Sequence, residues 1–276
     1  MTDSRLTPWR PEFASRTLEG QVAAQSYVDP VPMSVIVPAV GIYGSPSLAA
    51  ELQDQTLFGE VFDVLRQEGD WAWGQARRDG YVGFVQDSAL ITNLQPATHR
   101  VSAIRTYAFA TPNIKAQATG PYSLNSLVTL EAHEGRFMKA LNSGWFVKEH
   151  LAPIGRFETD PVVVAERFMG AAYLWGGRES QGLDCSGLVQ QALLACGRAC
   201  PRDTDMQQAL GKEITQSELA RGDLVFWRGH VAIMLDDQHI LHANAHHMAV
   251  EIEPLSGAIS RIAAGSTGRP TSFRRI

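Results

Sequence analysis

A strand-and-turn pattern that occurs twice constrains this chain more than any other feature. Gly69-Asp70-Trp71-Ala72-Trp73 and Asp79-Gly80-Tyr81-Val82-Gly83-Phe84-Val85 read as two strands joined by a hairpin, with an Asp-Gly pair suited to positive φ. The pattern returns as Gly135-Arg136-Phe137-Met138-Lys139-Ala140 and Ser143-Gly144-Trp145-Phe146-Val147. Glu68-Gly69 is echoed by Glu134-Gly135, and Gly80-Tyr81 by Gly144-Trp145, at an offset of 64 to 66 residues. Closing a small sheet on itself removes exposed strand edges. The repeat therefore predicts two small β-barrels, over residues 30–94 and 95–153, behind an N-terminal arm of residues 1–29. The arm has too few periodic apolar residues to name an element in it.

After residue 158 the periodicity changes. Asp160-Pro161, followed by Val162, Val163, Ala165, Phe168, Met169 and Ala172, predicts a helix with an acidic N-cap and proline at its first position. Asp184-Cys185-Ser186-Gly187 opens a second helix, whose apolar face runs through Leu188, Val189, Ala192 and Leu193 and which stops at Gly197. Strands then return to the end of the chain, so residues 158–276 form a third, α+β domain.

The 276 residues are 45% hydrophobic and 19% charged, enough apolar material to bury cores. Lys and Arg total 24 against 29 Asp and Glu, which leaves no basic field for nucleic acid. Met1 to Pro30 carry interspersed charges and no signal-like apolar run, and no stretch approaches the roughly 20 apolar residues of a membrane helix. The expectation is a cytoplasmic protein with neither nucleic acid nor membrane as partner.

Three cysteines, Cys185, Cys196 and Cys200, suit neither a disulfide framework nor a zinc site. Cys185 opens a helix, where unpaired N–H groups and the positive dipole end are expected to favour thiolate. A thiol nucleophile needs a base. The Leu224–Trp227 and His230–Leu235 strands, joined through Arg228-Gly229, put His230 at a strand start. The three-residue turn Asp236-Asp237-Gln238 then pairs Leu235 with His239 and sets His242 opposite Ala232. His230 and His242 become diagonal neighbours on one sheet face. Nucleophile, base and orienting group together make the constellation for acyl transfer through a thioester. A metal reading of His242, His246 and His247 lacks a completing Asp, Glu or Cys, so no metal or cofactor is expected.

Tyr173-Leu174-Trp175-Gly176-Gly177, Asp184-Cys185-Ser186-Gly187-Leu188-Val189, Pro201-Arg202-Asp203-Thr204, Arg221 to Trp227 and His230-Val231-Ala232-Ile233 resemble the NlpC/P60 family of cysteine peptidases. The earlier repeat resembles paired bacterial SH3-like domains. The resemblance implies two SH3-like β-barrels followed by an α+β papain-like catalytic domain, with Cys185, His230 and His242 catalytic. It further implies a peptidase of murein recycling, cutting the γ-D-glutamyl to diamino-acid amide (diaminopimelate or lysine) of free tri- or tetrapeptides that bear an N-terminal L-alanine. Asp184, Ser186 and Tyr173 are then expected beside the substrate ammonium, Tyr81 at a barrel mouth closing the cleft, and an acid of the 48–55 loop, Glu51 or alternatively Asp54, with them. Two other readings stay open: an NlpC/P60-like endopeptidase, amidase or acyltransferase with another amide or ester substrate, and a non-catalytic peptide-binding SH3-like protein.

Overall fold

The computed structural model describes residues 3–276, which divide into one unit ending at Arg156 and a second, Phe157–Ile276. The first unit is almost wholly β. Residues 31–91 form a seven-stranded antiparallel sheet in the order Leu90–Ile91, Val31–Val35, Val61–Glu68, Trp71–Ala76, Val82–Gln86, Ala39–Tyr43, Leu52–Leu57. The hairpin read from the sequence is present, with Ala72 opposite Val85 and Gly74 opposite Gly83. Gly80 in its turn has φ +85°.

The repeat is visible in three dimensions. Gly69 (φ +61°) turns the chain between strands 61–68 and 71–76, and Gly135 (φ +57°) does so between Leu130–Glu134 and Phe137–Ala140. Strand 137–140 then pairs with Gly144–Val147. These belong to a five-stranded sheet, beside a three-stranded sheet of Leu127–Val128, His99–Val101 and Leu151–Pro153. Each half has its own apolar cluster, one around Phe62, Ile42 and Val85 and the other around Phe146, Val101 and Tyr122.

The stretch read as an arm contains a small sheet, Trp9–Arg10, Phe13–Ser15 and Tyr27–Val28. Phe13 meets Trp73 edge to face at 5.1 Å, Arg66 lies over the Phe13 ring, and the Val82 N–H donates to Arg5 O. A few well-placed aromatic contacts do here what periodicity did not announce.

In the second unit a nine-stranded sheet runs in the order Arg178–Glu179, Gly182–Leu183, Ala172–Tyr173, Ala249–Pro254, His239–Asn244, His230–Met234, Leu224–Trp227, Ser272–Arg275, Lys212–Ile214. Four helices accompany it: α1 (Pro161–Glu166), α2 (Cys185–Ala195), α3 (Thr204–Gln207) and α4 (Leu255–Ala263). Asp160 caps α1 by accepting from the Val162 and Val163 N–H groups. The helix is shorter than the apolar spacing suggested. Gly170 turns at φ +74°, and Ala172–Tyr173 joins the sheet, with the Tyr173 N–H donating to Met248 O. Helix α2 ends as expected, with Gly197 at φ +73° and the Arg198 N–H returning to Leu193 O. Among the described residues no helix is long and apolar enough to cross a membrane.

Candidate active site

Helix α2 packs against strands 230–234 and 239–244, which brings its first residue to the histidine pair. Cys185 is a free, buried thiol. Its sulfur lies 3.9 Å from the Thr204 hydroxyl. The strand register is the one the turn length requires: Ile233 faces Leu241, and the Leu235 N–H donates to His239 O. Asp236 fixes that turn by accepting from the Gln238 and His239 N–H groups. His230 Nε2 accordingly lies 2.8 Å from His242 Nδ1. His242 is fully buried, and its Nε2 lies 2.8 Å from Glu253 Oε1, on which the Arg261 guanidinium also rests.

The electrostatics correct one expectation. Burial pushes the Cys185 thiol up to about 11, with the neighbouring Asp184 charge adding to it. The Val231 N–H, the Thr204 hydroxyl and Arg202 oppose the rise without cancelling it. The helix start therefore does not yield a standing thiolate, because desolvation of the charged sulfur outweighs the favourable N–H groups. His230 moves the other way, down to about 4, through burial first and then Arg261, while Asp184 opposes. His242 falls to about 2 through burial, His230, Arg261 and His247. At neutral pH the resting pair is a thiol beside a neutral imidazole.

Asp184 is held by protein groups. Its Oδ1 accepts from the Gly187 N–H (2.7 Å), Arg202 Nη1 (2.9 Å) and Ser186 Oγ (3.1 Å), and its Oδ2 from the Gly176 N–H (2.9 Å) and Arg202 Nη2 (2.7 Å). Five donors occupy a carboxylate with about four lone-pair directions. Its charge is matched by a guanidinium that is 1% exposed. This carboxylate caps α2 and ties the 176–177 turn to it. Ser186 belongs to the same cluster, donating to Asp184 and accepting from Arg202. Gln207 secures the Arg202 loop by donating to Ser186 O and Pro201 O. Gly187 is required for the close approach: a Cβ there would lie 2.4 Å from Gly177 O.

Tyr173 is close enough to Cys185 and Asp184 for their charges, after burial, to hold its phenol protonated. Tyr81 and Glu51 belong to the first unit. Tyr81 is 4% exposed and part of the core cluster with Val40, Ile42 and Val85. Glu51 is exposed in the loop before strand 52–57, whereas Asp54 is fully buried within that strand. His242, His247 and Glu253 have ligand atoms within 4.8 Å of one another. Of these, Glu253 also receives the Arg261 guanidinium.

Arg202, Thr204, Glu253 and Arg261 carry no role in the sequence reading. The signal for Glu253 was present: Glu251 pairs with His242 across the strands, and Glu253 follows at the two-residue spacing that returns to the same face.

A helix-borne thiol next to a strand-borne histidine pair defines the class of the second unit, and the family comparison agrees: residues 170–264 match the NlpC/P60 family and residues 42–90 the bacterial dipeptidyl-peptidase Sh3 domain. The chain thus carries an NlpC/P60 hydrolase domain preceded by an SH3 domain. It is 28% identical to dipeptidyl-peptidase 6 of Lysinibacillus sphaericus, over 80% of this chain and 90% of that protein. It is also 28% identical to γ-D-glutamyl-L-lysine dipeptidyl-peptidase of Bacillus subtilis, over 75% and 77%. The crystal structure of an NlpC/P60 family protein from Bacillus cereus shares the fold, with TM-score 0.74 at 20% identity over 88% of this chain and 99% of that one.

Proposed function

We propose that this protein is a cysteine peptidase that hydrolyses the γ-D-glutamyl to diamino-acid amide of free murein peptides with an N-terminal L-alanine, in cytoplasmic recycling of cell-wall peptides. The observation that carries the reading is the 2.8 Å His230–His242 pair on the strands against which α2, opened by the buried Cys185 thiol, is packed. The substrate class rests on the relatives' names, since the chain matches most of their length. The layout, a thiol on a helix and its base on a sheet strand, is papain-like in this reading, and residues 95–153 are a second SH3-like barrel.

In the proposed mechanism the Cys185 proton passes to the free ring nitrogen of His230 as sulfur attacks the γ-carbonyl carbon. The neutral resting pair makes this concerted with attack. The Tyr173 phenol, kept protonated, is a donor beside the developing oxyanion. The imidazolium then protonates the departing diamino-acid amine as the C–N bond breaks and leaves a thioester. Water, deprotonated by His230, releases the dipeptide acid and restores the thiol. Within the second unit, Asp184 and Ser186 are the polar groups offered to the substrate ammonium.

The test is turnover of L-Ala-γ-D-Glu-diaminopimelate, its lysine counterpart and their N-acetylated forms by the full chain and by Cys185→Ala. Cleavage of the free-amine peptides, abolished in the variant, is expected. Equal cleavage of acetylated and free substrates would refute the N-terminal requirement. Undiminished activity in Cys185→Ala would remove the cysteine mechanism.

A further inference from the structure

We infer that Glu253, held by Arg261, is a positioning residue that selects the reactive tautomer of both histidines, an inference that rests on the cysteine-peptidase reading above. Glu253 ends the 249–254 strand and Arg261 lies in α4, which follows immediately, so one local segment supplies both groups. The Arg261 guanidinium, which can only donate, rests on the same Glu253 oxygen that faces His242, so that oxygen is used as an acceptor. His242 Nε2, 2.8 Å from Glu253 Oε1, must therefore carry its proton. The neutral His242 ring then has its lone pair at Nδ1, facing His230 Nε2 at 2.8 Å. His230 must place its own proton on Nε2 to fill that contact. What remains on His230 is a basic Nδ1, the nitrogen available to the thiol.

The opposite arrangement shows what is at stake. With the proton on His242 Nδ1, His230 Nε2 would have to accept, and His230 Nδ1–H would leave no base for the sulfur. The acid selects between these two chains of hydrogen bonds without touching substrate. It acts through His242. When His230 becomes an imidazolium during attack, the same chain ends in a negative charge.

The titratable and charged groups around the pair are Cys185 and Asp184 from α2 and its cap, Tyr173 from strand 172–173, Glu251 and Glu253 from strand 249–254, His247 from the turn before it, and Arg261 from α4. Only Glu253 meets the outer nitrogen of His242 at hydrogen-bonding distance among the described residues. Changing Glu253 or Arg261 alters the charge at the end of the chain in opposite directions.

The experiment has two arms on the full-length chain. In the first, histidine ¹⁵N spectra of the resting protein read the protonated nitrogen of each ring, with Nε2–H expected on both and lost from His242 in Glu253→Leu. This arm needs no substrate, so it stands or falls apart from the proposed function. In the second, kcat/KM for the free-amine tripeptide is followed against pH. Glu253→Gln should lower kcat about 10- to 100-fold with KM within about twofold. Its acidic limb should move to lower pH, because His230 loses a charge that favours protonation. Arg261→Gln should move that limb to higher pH. A purely structural role would lower activity in both variants without opposite shifts. Nδ1–H on His242 in the wild type, or a Glu253→Gln enzyme with unchanged kcat and acidic limb, would overturn the inference. If wild type fails to cleave the peptide, the functional reading falls while the spectra still decide the tautomer.

Discussion

Asp184→Asn tests whether the carboxylate beside the nucleophile serves the protein or the substrate. Asparagine offers one acceptor and one amide NH₂ in place of two acceptor oxygens. If its oxygen keeps the Oδ1 contacts, the NH₂ faces the Gly176 N–H and Arg202 Nη2, donors that now lie 2.9 and 2.7 Å from Oδ2. Flipping the amide only moves the conflict to Gly187 and Arg202 Nη1. The variant leaves a guanidinium, 1% exposed, without its counterion. Breaking one side of a buried ion pair costs about 3–5 kcal/mol. At roughly 3–6 °C per kcal/mol for a unit of this size, the unfolding transition of the 157–276 unit should fall by at least about 10 °C. Calorimetry on the full chain measures it. A second arm compares free-amine and N-acetylated tripeptides. Because the α2 start is disturbed for any substrate, activity should fall on both alike. A transition within about 2 °C of wild type, with loss confined to free-amine substrate, would refute the reasoning and return Asp184 to ammonium binding.

Gly187→Ala would stabilise an ordinary helix by about 1 kcal/mol, but the 2.4 Å approach of a Cβ to Gly177 O predicts the opposite sign, a lower melting temperature with reduced activity. Stability should also fall in acid. His230 and His242 have folded pKa values depressed to about 4 and about 2, below the unfolded value near 6.5, so their contribution is present above about pH 6.5 and is lost as pH drops towards 4. His242→Asn should flatten that part of the melting-temperature profile.

The elements with short-range rules were legible. The 69–85 hairpin and its echo announced themselves through Gly-containing turns, and the His230–His242 pairing followed from a three-residue turn and the period of two. The same arithmetic could have reached Glu253, but only once the next strand's register was known. The pairing of Asp184 with Arg202 is not legible in the sequence, because Arg202 lies 18 positions away in a loop with no periodic signal. The thiol's ionisation failed for a related reason. A helix N-terminus is local and visible in sequence, whereas the desolvation that overrides it comes from the whole fold. Tyr81 shows the same limit: its place beside a turn is visible in the sequence, whereas the burial of its ring comes from the fold.

Strand 272–275 lies inside the catalytic sheet, between 224–227 and 212–214, although it is synthesised after every other strand described. Arg275 pins it, donating to both oxygens of the buried Asp223 and to Glu218 O. A nascent chain therefore has all its chemical groups, Cys185, His230, His242, Glu253 and Arg261, before the sheet that carries the histidines is finished. Until residues 272–275 arrive, the 224–227 edge offers unpaired N–H and C=O groups to any extended segment nearby, its own or another chain's. A cleavage product ending after α4 would stay in that condition. It would hold the complete reacting set on an open sheet, more exposed to aggregation than a chain whose interior strand is in place.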